Sequence, residues 1–292
     1  MKNYGVLDIG SNTIVLLIYS AEKKLKILYH ESQPVHLIQY VQNGHMQEEG
    51  ILRACEVLSH YREVCTSYIL EDLQAFITEP WRNIDNAEDM LRRFRNHVPV
   101  TALSGREEAE LDYQGSLLDC ADILSGNACD IGGGSTEFIC FRNHRILEAV
   151  SIPYGCVRLS VLPVAESFTD PIVQKTLHEY PGLTQEPSDT LVGIGGTCRA
   201  AGKMAEVVYG TKQTHSLKDL ERIYTLLQNQ DPEMTAVMKN TVSAGRQSVF
   251  LPGLNMLLSV MHAYHAQYLR VSKGCVREGF LLKYMLPGKE QR

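Results

Sequence analysis

Residues 127–141 read NACDIGGGSTEFICF. Two largely apolar runs flank a glycine-rich turn, a pattern typical of two strands joined by a tight connection. Glycine permits close backbone approach and unusual dihedral angles, so consecutive amides of such a turn can point at an anion. The stretch therefore predicts a strand, an anion-binding turn and a second strand.

The same pattern occurs near the start of the chain. Residues 4–9 (YGVLDI) and 14–19 (IVLLIY) flank Gly10-Ser11-Asn12-Thr13, and Asp8-Ile9-Gly10 matches Asp130-Ile131-Gly132 in the same frame. The apolar runs that follow the two turns match as well. A repeat that occurs once in each half of the chain predicts two related domains.

The length agrees with two domains, because 292 residues exceed the usual size of a single one. The restart of the pattern near residue 124 predicts an N-terminal domain over 1–124 and a C-terminal domain over 125–292. A predicted terminal helix over 277–286 could pack back on the first domain. Strands interspersed with helices place the chain in the α/β class.

Helical spacing of apolar residues predicts several of these helices. Ile51, Ala54, Leu58 and Tyr61 recur on one face of a helix over 47–69. Similar patterns predict helices over 86–97 and 255–268.

A third glycine-rich turn, Gly195-Gly196-Thr197, follows a predicted strand and opens a helical stretch. A helix N-terminus adds partial positive charge and free amides for an anion. Three such turns after strands predict phosphate binding, whereas the P-loop and dinucleotide-binding patterns are absent from the sequence. The predicted phosphate-binding residues of the turns are Gly10, Ser11, Asn12, Thr13, Gly132, Gly133, Gly134, Ser135, Thr136, Gly195, Gly196 and Thr197.

An acidic residue precedes each of the first two turns, Asp8 in one and Asp130 in the other. A carboxylate beside a phosphate cradle repels the substrate unless a cation lies between them. Mg²⁺ is the natural cation, since it bridges one or two carboxylates to phosphate oxygens. The alternative is that each aspartate caps the amides of its own turn.

Hydrolysis of a phosphoryl group needs an oriented water molecule and neutralised charge, and a carboxylate can act as the base. Four glutamates are candidates for that role, and their spacing does not select one of them. The candidates are Glu107, Glu108, Glu110 and Glu137.

Composition excludes several classes of protein. The net charge of −6 gives no global attraction to nucleic-acid polymers or anionic membranes. No apolar run near the start is long enough for a signal peptide or a membrane span, and the eight cysteines include no CxxC pair. We therefore expect a cytoplasmic protein with reduced core thiols. The sequence does not fix the oligomeric state, and a homodimer is compatible with it.

Several motifs together resemble the signature of the exopolyphosphatase / guanosine pentaphosphate phosphatase family. They occur in the family's order and span almost the whole chain. The segments are Asp8 to Thr13, Ser104-Gly105-Arg106-Glu107-Glu108-Ala109, Asp130 to Glu137, Ser151 to Leu159, Gly195 to Ala200, and Val271 to Gly279.

This resemblance implies an actin-like, sugar-kinase-like fold of two ribonuclease-H-like domains with the active site in a central cleft. It implies Mg²⁺-dependent release of terminal phosphate from polyphosphate or guanosine pentaphosphate. Glu108 then matches the family's catalytic base, and Glu137 matches the residue that assists with water or metal. With Glu137, the predicted metal ligands are Asp8 and Asp130.

The resemblance also places an arginine that grips phosphate at Arg82, whose guanidinium can bind two oxygens at once. The sequence departs from the family pattern at Glu79, where a small hydroxyl-bearing residue is expected, and at Ser248, where an aspartate is expected. Two alternatives to the hydrolase follow. One is a kinase or ATPase of the same fold, and the other is a non-catalytic sensor that binds phosphate polyanions.

Overall fold

The computed structural model describes residues 2–22, 24–79, 81–161 and 165–286, without the side chains of residues 165–168. Its contacts divide the chain into two compact units: Met1–Ser104 with Phe280–Arg292, and Gly105–Gly279. The division falls one helix ahead of the boundary suggested by the sequence. The reason is that the helix Gly105–Cys120 packs on strands of the second unit.

The first unit is built on one mixed sheet. Its strands are β1 (Asn3–Ile9), β2 (Thr13–Ala21), β3 (Leu25–Pro34), the short β4 (Val41–Gln42) and β5 (His45–Met46), β6 (Leu70–Ile77) and β7 (Val100–Ala102), and its helices are α1 (Glu48–Cys65) and α2 (Ala87–Arg95). The strand order is β3-β2-β1-β6-β7, while β4 and β5 form a separate pair. Strands β1, β2 and β3 are antiparallel neighbours, whereas β1, β6 and β7 run parallel.

The apolar face of α1 covers this sheet. Ile51, Ala54, Leu58 and Tyr61 are buried, as their helical spacing predicts. The Tyr61 hydroxyl also donates a hydrogen bond to the Ile14 carbonyl at 3.1 Å. The end of the chain contributes as well, because the Phe280 ring lies 4.9 Å from the Phe76 ring within this unit.

The second unit contains a larger sheet and most of the helices. Its elements are α3 (Gly105–Cys120), β8 (Ser125–Ile131), β9 (Thr136–Arg142), β10 (Arg145–Ile152), α4 (Cys156–Ser160), α5 (Ala165–Glu179), β11 (Thr190–Ile194), α6 (Gly195–Tyr209), β12 (Thr214–Ser216), α7 (Leu217–Gln228), α8 (Pro232–Thr241), α9 (Ala244–Ala263), β13 (Tyr268–Val271) and α10 (Val276–Phe280). The strand order is β10-β9-β8-β11-β13-β12.

The two sheets confirm the internal repeat. In the second unit β8, β9 and β10 are antiparallel neighbours, and β8, β11 and β13 run parallel. This is the arrangement of β1, β2, β3, β6 and β7 in the first unit. The α/β class and the doubled strand–turn–strand unit predicted from the sequence are therefore both present.

The start of α9 differs from the prediction. The helix begins at Ala244, well before the predicted residue 255, and it contains Pro252 and Gly253. These residues usually end a helix, so the periodicity after them was the only visible signal. Gly253 has a packing reason, since an added Cβ would lie 2.8 Å from the Thr197 methyl carbon.

All eight cysteines are free thiols, and seven of them are buried. Within the described parts of the chain, none of the helices has the length and apolar character needed to cross a membrane.

Close backbone contacts fix α3 against the last segment of the second unit. An added Cβ on Gly115 would overlap the Cys275 carbonyl, and one on Gly279 would overlap the Leu111 carbonyl. Backbone cannot move aside as a flexible side chain can. These glycines therefore set the distance between α3 and α10.

We predict that Gly279→Ala lowers the free energy of unfolding by about 1–3 kcal/mol, since overpacking typically has that effect. Gly245→Ala is the matched control, because no described atom lies within 4 Å of its added Cβ and Ala favours the helix. Urea denaturation measures both. Equal stability of the two variants would contradict the packing account.

A buried histidine makes stability sensitive to acid. His215 is 3% exposed, and its Nδ1 lies 2.7 Å from the Thr211 hydroxyl. Burial lowers the pKa of His215 below its usual value, although Glu206 and Asp219 oppose the shift. The folded state thus favours the neutral imidazole. The contribution of His215 to the free energy of unfolding is complete above the unfolded pKa of about 6.5 and is lost as pH drops through the folded pKa.

We predict that His215→Gln reduces the loss of unfolding free energy between pH 7.5 and pH 5.5, because glutamine has no charge to acquire. Urea denaturation at both pH values gives the difference, and exposed His265→Gln serves as the control. An unchanged pH dependence in His215→Gln would contradict the assignment.

Candidate active site

Predicted site residues gather at one edge of each sheet, where parallel strands end. In the first unit, Asp8 is the penultimate residue of β1, and Arg82 lies in a helical turn that follows β6. In the second unit, Asp130 is the penultimate residue of β8, and Gly195 directly follows β11. Ligands of open α/β sheets bind at such carboxyl ends.

The first two turns share one hydrogen-bond pattern. Gly10 donates to the Thr13 carbonyl, and Gly132 donates to the Ser135 carbonyl, both at 3.0 Å. Other carbonyls of each turn accept hydrogen bonds from backbone amides in the segment after the third strand. His36 donates to the turn in the first unit, as Gly155 does in the second. The repeat therefore extends from sequence to backbone geometry.

This pattern occupies the turn carbonyls but leaves amides available. In the described structure, the amides of Ser11 and Asn12 donate to no backbone carbonyl, and neither do those of Gly133 and Gly134. Successive amides of this kind form anion-binding concavities. The turns can therefore offer donors to a phosphate group.

Several predicted hydroxyl donors have structural partners. The hydroxyls of Ser11, Thr136 and Thr197 donate to backbone carbonyls at 2.9, 2.7 and 2.8 Å. The Ser135 hydroxyl is hydrogen-bonded to Glu137. These hydroxyls hold the turns and a site carboxylate in place, and their contact with phosphate stays a prediction.

The third turn brings a carboxylate and a guanidinium to the start of α6. Gly195 has φ +75°, and an added Cβ there would overlap the Asp130 carboxylate. An added Cβ on Gly196 would overlap the guanidinium of Arg246. Both glycines are therefore required by close approach, and the first also by its backbone conformation.

Four carboxyl groups lie close together in the second unit. Asp130 and Glu137 are directly opposite each other on β8 and β9, so their side chains share one face of the sheet. Glu108 and Asp112 lie one turn apart on α3, which packs on β9 and β10. Glu108, Asp112 and Glu137 are 8%, 1% and 1% exposed.

Burial raises the pKa of Glu137 well above that of an ordinary glutamate, and the charges of Glu108 and Asp130 add to the effect. The Ser151 hydroxyl, which donates to Glu137 Oε1 at 2.7 Å, opposes it. Burial and the neighbouring Asp130 and Glu137 raise the pKa of Asp112 in the same way. The group therefore favours shared protons or a bound cation over full ionisation.

Asp130 differs because cations surround it. Burial raises its pKa, but Arg199, Arg246 and Arg277 oppose the rise, as does a hydrogen bond from Asp112. The pKa of Asp130 is therefore raised by burial against the opposing effect of three arginines.

The sequence did not identify Asp112, Ser151 or Arg246 as site residues. Asp112 lies four residues after Glu108, a spacing that places both on one helix face, and this was the available signal. Ser151 and Arg246 are distant in sequence from the acids they affect. Only the strand pairing and the course of α9 bring them there.

In the first unit, Arg82 is held by the backbone. Its Nε donates to the Leu103 carbonyl at 3.1 Å, and Trp81 donates to the same oxygen at 3.2 Å. Asp8 faces Val15 across the β1–β2 pair, in the position where Asp130 faces Glu137. The paired acids thus occur in the second unit alone among the two repeats.

The carboxylates of the second unit provide part of the coordination that Mg²⁺ needs. Asp130 and Glu137 offer carboxylate oxygens on adjacent strands, and Mg²⁺ typically uses one or two carboxylates with water and phosphate. Across the described ranges, no three or more His, Cys, Asp or Glu side chains are arranged to hold a metal. An ion here would therefore depend on substrate oxygens, and its presence stays a prediction.

Residues 17–287 match the sequence profile of the Ppx/GppA phosphatase family. A Haemophilus influenzae protein provisionally named an exopolyphosphatase is 25% identical over 96% of this chain and 91% of its own length.

Solved structures agree with the fold. A Ppx/GppA family member from Aquifex aeolicus superposes with a TM-score of 0.82, at 24% identity and 99% coverage of both chains. An exopolyphosphatase from Cytophaga hutchinsonii gives a TM-score of 0.81, at 22% identity and 96% coverage of both chains. The expected actin-like α/β fold is thereby confirmed.

We predict that Gly195→Ala abolishes the phosphohydrolase activity expected of the family, because its Cβ displaces the Asp130 carboxylate. Gly210→Ala is the control, since Gly210 has φ +72° but no described atom within 4 Å of an added Cβ. Both substitutions place a Cβ on a residue with positive φ, which costs about 1–2 kcal/mol. Only Gly195→Ala also disturbs Asp130. Equal activity of the two folded variants would contradict this role.

Proposed function

Because the chain belongs to the Ppx/GppA phosphatase family, we propose that it hydrolyses the terminal phosphoryl group of inorganic polyphosphate or guanosine pentaphosphate with the help of Mg²⁺. The observation that carries the proposal is the buried group of carboxyls beside a glycine-rich turn and a helix N-terminus. Phosphoryl transfer to water needs these two elements, a base and a set of donors for phosphate oxygens.

Glu108 is the proposed general base. Its side chain is buried, and its charge raises the pKa of Glu137. Glu108 therefore belongs to the cluster of four carboxyl groups at the end of β8. Glu110 instead accepts a hydrogen bond from Arg106 at 2.9 Å in a surface ion pair. A carboxylate placed beside the phosphoryl group can accept a proton from the attacking water.

Glu137 is the proposed assistant in this reaction. The hydroxyls of Ser135 and Ser151 bond to it, which fixes its orientation opposite Asp130. A carboxyl group held in this way can orient water or a cation with little loss of entropy on binding.

Asp130 and Glu137 would hold Mg²⁺ in the second unit, and the sequence adds Asp8 as a further ligand. When bound, the ion would neutralise charge that develops on the phosphoryl oxygens. The residues of the chain do the rest: amides of the turns and of the α6 N-terminus bind phosphate oxygens, and the base accepts the proton of water. Arg82 is proposed to bind phosphate as well.

We predict that Glu108→Gln lowers phosphate release by roughly 10²–10⁴-fold, the usual contribution of a general base. Glu110→Gln is the matched control on the same helix and should keep wild-type activity. Release of inorganic phosphate from polyphosphate and from guanosine pentaphosphate, each with Mg²⁺ or with EDTA, measures the effect.

A parallel assay with ATP separates the alternatives. Formation of ADP from ATP would favour a kinase or ATPase, and tight binding of polyphosphate without release of phosphate would favour a sensor. Full activity of Glu108→Gln, or full activity in EDTA, would contradict the proposed mechanism.

A further inference from the structure

Asn86 immediately precedes α2 and lies four residues after Arg82, the arginine proposed to bind phosphate in the first unit. We propose that Asn86 is a positioning residue, which fixes Arg82 relative to the first glycine-rich turn by pairing with the backbone of β5. The inference rests on the proposed function, since it concerns how Arg82 is presented to phosphate.

The side chain of Asn86 forms two hydrogen bonds with a single residue of β5. Its Oδ1 accepts the backbone amide of Met46 at 2.9 Å, and its Nδ2 donates to the carbonyl of Met46 at 2.9 Å. An asparagine amide carries both an acceptor and a donor, so it can pair with a peptide unit from both sides. Asn86 therefore fastens the chain before α2 to β5.

This pairing takes the place of a helix cap. Asn86 holds the N-cap position of α2, yet among the described residues its side chain makes no capping hydrogen bond. Asparagine is a preferred N-cap, because its side-chain oxygen usually accepts an amide of the first turn. Here the same oxygen accepts from Met46. The side chain thus serves the contact with β5 rather than the start of its own helix.

Residues 35–46 form a strap between β3 and α1. The start of the strap is bound to the first glycine-rich turn, because the His36 amide donates to the Asn12 carbonyl at 2.8 Å. The end of the strap is bound to the chain before α2, where the Asp85 amide donates to the Gly44 carbonyl at 2.8 Å. The strap therefore connects the turn with the segment before α2 inside one unit.

Arg82 lies between two anchors of that segment. On its N-terminal side, the Ser11 hydroxyl donates to the Glu79 carbonyl at 2.9 Å, which attaches the chain to the turn. On its C-terminal side, Asn86 attaches the chain to the strap. The Arg82 Nε also donates to the Leu103 carbonyl at 3.1 Å. Without the second anchor, a smaller fraction of molecules would hold the guanidinium in its binding position, and the apparent affinity for phosphate would fall by that fraction.

Serine and aspartate at position 86 separate the pairing from helix capping. Both are as effective as asparagine at an N-cap. Serine, however, has one oxygen in place of the two-ended amide, and aspartate cannot donate to the Met46 carbonyl.

We expect Asn86→Ser to raise KM for polyphosphate about tenfold with kcat within about twofold, as when about a tenth of the molecules hold Arg82 in place. Asn86→Asp should raise KM at least about threefold. A role in capping alone predicts an unchanged KM for both variants.

Asn3→Ser is the matched control. The Asn3 Nδ2 donates to the Ile69 carbonyl at 3.2 Å at the amino end of β1, whereas the turn follows the carboxyl end. The substitution therefore removes a side-chain hydrogen bond from the same unit at a distance from Arg82, and KM should stay within about twofold. A double-mutant cycle tests whether Asn86 acts through Arg82. In the Arg82→Gln background, Asn86→Ser should raise KM by less than about twofold.

A second readout needs no activity. Trp81 is the single tryptophan of the chain, it adjoins Arg82, and its indole N–H donates to the Leu103 carbonyl at 3.2 Å. Its fluorescence therefore reports the placement of the segment. We expect a red-shifted emission maximum and stronger quenching by acrylamide in Asn86→Ser, and the wild-type spectrum in Asn3→Ser.

An unchanged KM or an unchanged Trp81 spectrum in Asn86→Ser would overturn the proposal. An equal effect of Asn3→Ser, or a full tenfold effect of Asn86→Ser in the Arg82→Gln background, would overturn it as well. Absence of phosphate release from the wild type would instead contradict the proposed function. The Trp81 spectra and the affinity for polyphosphate by calorimetry would then decide the role of Asn86 by themselves.

Discussion

The structure of the second unit depends on how it accommodates four neighbouring carboxyl groups, three of them on buried side chains and the fourth, Asp130, half-buried. Removing an ionised carboxylate from water is costly unless it is paired or protonated. Three features bear on that cost: burial raises the pKa of Asp112 and Glu137, serine hydroxyls are hydrogen-bonded to Glu137, and the charges of three arginines lower the pKa of Asp130. The backbone at Gly195 and the packing of α3 on the sheet keep these groups together.

The repeated turn places backbone amides, which can donate hydrogen bonds to phosphate, next to these carboxyl groups. In both units, carbonyls of the turn accept hydrogen bonds from the segment after the third strand, whereas two consecutive amides of each described turn donate to no backbone carbonyl. The two units nevertheless differ in charge, since Val15 occupies the place of Glu137 in the first one. Thus the same backbone device is combined with the paired acids in the second repeat only.

The sequence predicted those features that are local. The Asp-Ile-Gly repeat and the apolar runs around it predicted a strand–turn–strand unit in each half, because turn residues and alternation act over a few positions. The spacing of Ile51, Ala54 and Leu58 gave the buried face of α1 for the same reason. By contrast, the sequence pattern did not predict the true start of α9, because Pro252 usually ends a helix. Whether a helix continues through a proline depends on tertiary packing.

Features of the site that depend on burial were less accessible. Thr136 and Thr197 were predicted as phosphate donors, but the fold directs both hydroxyls to backbone carbonyls. Spacing alone could not choose Glu108 from its neighbours, and exposure on the folded helix provides the distinction. Asp112 required knowledge of a contact with β8 that no local pattern contains.

The central claim is that the carboxyl face directs water, and no other acceptor, at a terminal phosphoryl group. Phosphate release from polyphosphate in ¹⁸O-labelled water tests it most directly, with mass spectrometry of the product. The account predicts one ¹⁸O atom in each released phosphate. Unlabelled phosphate, with the phosphoryl group recovered on a nucleotide or another acceptor, would contradict it.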